Sequence, residues 1–118
     1  MRAFIALCTL PLAFVVGCGP DCQSSCNRIF GSSDGQCNMI PAGINDETEI
    51  QDLNSQCVAE CQRALSNPGP ATYDPNERHT SETHMSTDKD AALWMDCVNE
   101  SACEDLGNGI CAPTQNFN

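Results

Sequence analysis

The chain has 118 residues, with sixteen acidic and five basic side chains, which gives a net charge of −11. So acidic a protein repels nucleic acid, and we expect no nucleic-acid partner. Ten residues are cysteines and only 5% are aromatic. A chain of this length forms one small domain, and with few bulky apolar residues it needs covalent staples for stability.

The first seventeen residues have the pattern of a cleaved export signal. Arg2 precedes an apolar run over residues 3–16, and the small residue Gly17 stands just before Cys18. The apolar run is too short to span a membrane comfortably. We therefore expect residues 1–17 to be removed and residues 18–118 to form a single mature domain.

The motif Val15-Val16-Gly17-Cys18 resembles the lipobox of bacterial lipoproteins. The resemblance implies that Cys18 is acylated through its sulfur, becomes the first residue of the mature chain and anchors it in a membrane; we expect no other cofactor. Gly19 differs from the acidic residue of an inner-membrane retention signal, which favours the periplasmic side of the outer membrane or the cell surface. The alternative, an ordinary signal peptide, would leave Cys18 as an odd thiol in an exported protein.

A short helix is predicted over about 21–31. Asp21 stands in the N-cap position, and Cys22, Cys26 and Ile29 fall on one helical face. This helix is marginal alone and needs a partner.

A longer helix is predicted over about 46–66, after a loop. Residues 31–45 are rich in Gly, Pro, Ser and Asn, which is typical of a loop, and Cys37 ties it down. Asp46 and Glu49 fit a capping box, and apolar residues then repeat at helical spacing. The opposite face is polar, as in an amphipathic surface helix.

Residues 67–88 contain three prolines and many polar side chains, and they predict a long mobile loop. A specific partner site is most easily placed on such a loop. Its candidate contacts are Tyr73, which lies between prolines, and Arg78.

A third helix is predicted over about 88–100, with Trp94 in the core. A short helical turn over 101–106 follows, since Ser101 and Glu104 fit a second capping box. The predicted fold is therefore all-α: a disulfide-stapled helical hairpin, a third helix and a final turn.

Eight cysteines follow Cys18, an even number that predicts four disulfides in an oxidising compartment. They are Cys22, Cys26, Cys37, Cys57, Cys61, Cys97, Cys103 and Cys111.

Two cysteine pairs share a spacing of four residues, Cys22 with Cys26 and Cys57 with Cys61. Within a helix such Cβ atoms are about 5–6 Å apart, farther than the roughly 3.5–4.5 Å of a disulfide, so each cysteine must bridge to the other helix. Antiparallel packing then pairs Cys22 with Cys61 and Cys26 with Cys57.

The last four cysteines leave three pairings open. We favour a link from Cys37 to Cys97 or Cys103, because it would tie the third helix to the hairpin.

The two spacings resemble the twin Cys-x3-Cys helical hairpin of several unrelated families, and the wider chain is similar to the small cysteine-rich lipoproteins of bacterial envelopes. This resemblance implies the hairpin fold alone.

No sequence motif predicts catalysis. Cys-x-x-Cys is absent, as are a phosphate-binding loop and a helical zinc-protease motif. The prediction is a non-catalytic envelope lipoprotein, an interaction or accessory subunit of a membrane assembly that binds other envelope proteins. The alternative is a periplasmic protein that holds copper or zinc weakly through His79, His84 and Met85, although the histidines are five residues apart, not the four of a helical site.

Overall fold

The structure is a computed structural model that describes residues 20–72, 74–75 and 85–111. Within these ranges it is all-helical, which confirms the predicted fold class. The helices are α1 (Cys22–Phe30), α2 (Glu47–Leu65), α3 (Asp88–Glu100) and α4 (Cys103–Gly107).

The helix starts follow from capping chemistry. Asp21 accepts a hydrogen bond from Ser24 N at 2.7 Å, and the Ser24 hydroxyl interacts with the cap backbone in return, so α1 begins with a reciprocal capping box. These hydrogen bonds from Ser24 hold the pKa of Asp21 below its ordinary value. Asp46 caps α2 through Thr48 N at 2.9 Å rather than through the predicted box with Glu49.

The final turn starts later than predicted. Ser101 does not cap α4: its backbone is extended and its N–H donates to Cys97 O, so it ends α3. The N-cap of α4 is Ala102, which has no side-chain oxygen to offer. The predicted capping box of Ser101 with Glu104 is therefore wrong, because the preceding helix already uses Ser101.

The three long helices alternate in direction. The disulfide Cys22–Cys61 joins the start of α1 to the end of α2. Asn67, just after α2, accepts a hydrogen bond at 2.9 Å from Asp88 N at the start of α3. Helix α2 therefore runs antiparallel to both α1 and α3, which lie parallel to each other.

The core lies between these helices, and Trp94 is completely buried there, as predicted. Around it are other fully or nearly fully buried side chains, namely Ile29, Met85, Val98, Leu106 and the cysteines of α1 and α2. Leu65, the last residue of α2, is apolar but 43% exposed.

The loop after α1 folds back onto that helix. Cys37 N donates to Arg28 O at 2.7 Å and Met39 N donates to Ile29 O at 2.8 Å. Gly31 permits this return, because a Cβ atom at that position would lie 2.6 Å from Asn27 O. The loop therefore covers the end of the bundle where α1 finishes.

Candidate functional site

Every cysteine after Cys18 is in a disulfide, and Cys18 itself lies outside the described residues. The hairpin pairs are Cys22–Cys61 and Cys26–Cys57, with Cα–Cα distances of 5.7 and 6.0 Å. These pairings are the ones that antiparallel packing predicted.

The remaining pairs are Cys37–Cys103 and Cys97–Cys111. The first joins the loop after α1 to α4 and is one of the two links that we favoured. The guanidinium of Arg28 lies beside it, donating to Ser101 O at 2.8 Å and to Gly35 O. One covalent and two hydrogen-bonded links therefore hold this end of the bundle.

Of the predicted loop over residues 67–88, the structure describes 67–72, 74–75 and 85–88, and the rest lies outside the described residues. Both ends of the segment dock on the first turn of α3. Thr87 Oγ1 donates to Pro70 O at 2.9 Å, and Gly69 N donates to Asp88 Oδ1 at 3.2 Å. The two ends are thus fastened side by side.

The centre of this fastening is the buried carboxylate of Asp90. Its oxygens accept four hydrogen bonds: from Thr72 N at 2.7 Å, Thr72 Oγ1 at 2.6 Å, Ser86 N at 3.0 Å and Thr87 N at 3.2 Å. Burial alone raises the pKa of Asp90, but the hydrogen bonds from Thr72, Ser86 and Thr87 outweigh it and leave the pKa below its ordinary value. The carboxylate therefore stays ionised and organises the surrounding backbone.

A sequence signal for this cluster existed. Thr87 and Asp90 form a capping box at the start of α3, in the Ser/Thr-x-x-acidic pattern. That pattern reveals the cap, but it gives no sign that Asp90 also binds Thr72, eighteen residues earlier.

The predicted metal ligands do not form a described cluster. Met85 is 2% exposed and packs in the apolar core, whereas His79 and His84 lie outside the described residues. No group of three or more His, Cys, Asp or Glu side chains that could hold a metal occurs in residues 20–72, 74–75 and 85–111. Tyr73 and Arg78, the predicted partner contacts, also lie outside the described residues.

An open apolar groove of about 470 Å³ lies at the Cys37–Cys103 end of the bundle. Residues Met39, Ile40, Pro41, Ala42 and Gly107 line it. This groove was not predicted, because the Gly, Pro, Ser and Asn content of residues 31–45 indicates only a loop. The consecutive apolar residues 39–42 were the available signal.

No protein-family model matches the chain, and neither a curated protein nor a solved structure matches it. In the part of the chain that the structure describes, no helix is long and apolar enough to cross a membrane.

Several acidic residues are close along the chain to the residues that line the groove. Helix α4, which supplies Gly107, also carries exposed Glu104 and Asp105, and exposed Glu47 and Glu49 follow the groove residues at the start of α2. An apolar floor with acidic surroundings can accept an apolar side chain flanked by basic residues.

Proposed function

We propose that this chain is an exported lipoprotein, acylated at Cys18, that serves as a non-catalytic interaction or accessory subunit of a membrane-associated assembly. The observation that carries the proposal is the use of all eight later cysteines in four disulfides. Cys18 has no partner left among them, as expected if its sulfur carries a lipid. The lipobox-like residues 15–18 point to the same chemistry.

The buried polar groups support an interaction role over catalysis. Ser25 Oγ accepts a hydrogen bond from Asn99 Nδ2 at 2.9 Å, Thr87 donates to Pro70 O, and Asp90 is satisfied by four donors. Each of these groups fastens one part of the backbone to another. None lines either of the two surface depressions described in the structure.

The groove at Met39–Ala42 is the proposed contact for a partner. Its occupant is a segment of another envelope protein in which an apolar side chain is flanked by Lys or Arg. The apolar floor would bury the side chain, and the neighbouring carboxylates of Glu104 and Asp105 would attract the basic flanks.

Cell fractionation tests the lipid anchor. Cys18→Ser should lose membrane attachment or remain unprocessed, because the acyl chains supply the anchoring energy. Cys8→Ser is the matched control, since it removes a cysteine from the signal and leaves residues 15–18 intact. Membrane retention of a correctly processed Cys18→Ser protein would refute the proposal.

Co-purification from gently solubilised membranes tests the groove. Ile40→Glu places a charge in the apolar lining and should abolish recovery of the partner. Leu93→Glu is the control, because Leu93 is 39% exposed on α3 and does not line the groove. If both variants retain the partner, the contact lies elsewhere on the protein.

A further inference from the structure

Three chain segments meet at the end of the bundle where α1 begins. We call this the Cys22 end and define it as residues 20–22, 63–70 and 86–89. The Cys22–Cys61 disulfide and the hydrogen bond from Asp88 N to Asn67 O hold these segments together. The apolar groove and the Cys37–Cys103 disulfide lie at the opposite end of the bundle.

The short segment between Cys18 and Cys22 limits which part of the bundle can lie next to a lipid on Cys18. Cys22 is the fourth residue after Cys18, and an extended chain covers at most about 14 Å over that interval. Helix α2 continues four residues past Cys61 to Leu65, which is about 6 Å along the helix. This is less than the extended length from Cys18 to Cys22, so the connecting segment can span the Cys22 end. The start of α2 at Glu47 lies about 21 Å along the helix from Cys61, beyond this reach.

Charge separates the two ends. Of the three basic side chains in the described part of the chain, Arg63 and Lys89 are exposed at the Cys22 end, while Arg28 donates to backbone carbonyls at the opposite end. The exposed carboxylates at the opposite end are those of Asp34, Asp46, Glu47, Glu49, Glu100, Glu104 and Asp105.

In the described part of the chain, only four carboxylates lie at or beside the Cys22 end, against the seven at the opposite end. Asp21 and Asp88 accept backbone hydrogen bonds, Asp90 is buried among four donors, and Glu60 forms an ion pair with Arg63. An anionic bilayer would therefore repel the groove end more strongly than the Cys22 end.

The Cys22 end also presents apolar surface. Leu65 is 43% exposed, and Pro68 and Pro70 beside it are exposed. Such side chains can enter the headgroup region, with Lys89 directed to lipid phosphates.

We propose that the Cys22 end is a membrane-contact surface and that the bundle stands end-on, with its apolar groove facing away from the bilayer. This proposal rests on the acylation of Cys18 proposed above. It adds an orientation that acylation alone does not give, since the short connection from Cys18 to Cys22 would also permit the bundle to lie on its side.

The test is NMR of the ¹⁵N-labelled, lipidated full-length mature protein in nanodiscs of phosphatidylethanolamine and phosphatidylglycerol doped with a gadolinium-headgroup lipid. Amide signals of Leu65, Gly69 and Lys89 should broaden most, and those of Met39 and Glu104 least. Strongest broadening at Met39 or Glu104, or equal broadening along all helices, would overturn the orientation. Mass spectrometry of the same sample separates the two proposals, because an unacylated Cys18 overturns both, whereas an acylated Cys18 with the wrong pattern overturns only the orientation.

A pair of leucine variants tests the contact itself. Leu65→Glu should reduce the broadening at Lys89, because it puts a negative charge against the phosphates. Leu93→Glu, a similarly exposed leucine about 8 Å along α3 from its first residue, should leave it unchanged. Any other result, including an equal effect of both variants or of neither, contradicts an end-on contact through Leu65.

Discussion

Asp90 shows how one buried residue can organise a long segment. Burying a carboxylate is costly unless hydrogen bonds replace its hydration. Here four donors from Thr72, Ser86 and Thr87 do so, and three of them are backbone N–H groups. Because these donors come from both sides of residues 73–84, the carboxylate holds the two flanking ends together.

We expect Asp90→Asn to lower the free energy of unfolding by about 3 kcal/mol, because an amide nitrogen would replace an acceptor among converging donors. Asp96→Asn, on the exposed face of the same helix, should change stability by less than about 0.5 kcal/mol. Urea unfolding at neutral pH measures both. Equal effects of the two substitutions would contradict the role of Asp90.

The pH dependence of the free energy of unfolding, compared between wild type and Asp90→Asn, is a second test of this role. The pKa of Asp90 is lowered in the folded state. The stability that the ionised carboxylate contributes is therefore complete above the ordinary pKa of 3.8, and it is lost as the pH falls through the lower pKa of the folded state. The stability gap between wild type and Asp90→Asn should therefore be constant near neutral pH and narrow only below about pH 4.

The elements divide into those that the sequence predicts and those that it does not. Helices α1, α2 and α3 were predictable because their apolar residues repeat at helical spacing and their caps are polar. The docked ends of residues 67–88 were not, because local polarity indicates a loop whether or not its backbone finds a distant partner. From the sequence alone Asp90 is expected on the surface, because its partner Thr72 is distant along the chain.

Met85 is a second residue whose surroundings could not be predicted from its neighbours in the sequence. It follows a polar stretch that includes both histidines, which suggested a metal ligand, yet its side chain is 2% exposed in the core. The neighbouring residues in the sequence did not reveal that a side chain three residues before the start of α3 is buried in the core.

Replacement of two different stretches within residues 67–88 tests whether the docked ends stabilise the protein. A Gly/Ser linker of equal length in place of residues 76–84 should leave the melting temperature close to that of wild type. The same replacement of 69–86 should destabilise the protein by several kcal/mol, because it removes the Thr72 hydroxyl and leaves a cavity at Met85. Circular dichroism melts compare the two, and equal melting temperatures would show that the docked ends contribute nothing.

The whole molecule is a small core enclosed by covalent links. The outer hairpin disulfide spans 39 residues and, by chain entropy, contributes on the order of 4 kcal/mol in this case. The hairpin connectivity followed from helix geometry, because antiparallel helices leave one pairing for cysteines four residues apart. Which of Cys97 and Cys103 binds Cys37 did not, because it depends on how the short α4 folds against the loop after α1.

Eight cysteines form four disulfides within the fold, and we propose that Cys18 carries the lipid anchor. Intact mass spectrometry of the mature protein purified from membranes, before and after reduction, tests this most directly. We predict residues 18–118 with acyl groups on Cys18, and a gain of eight hydrogens on reduction, two for each of four disulfides. A mature chain with an unmodified Cys18, or with free thiols before reduction, would contradict it.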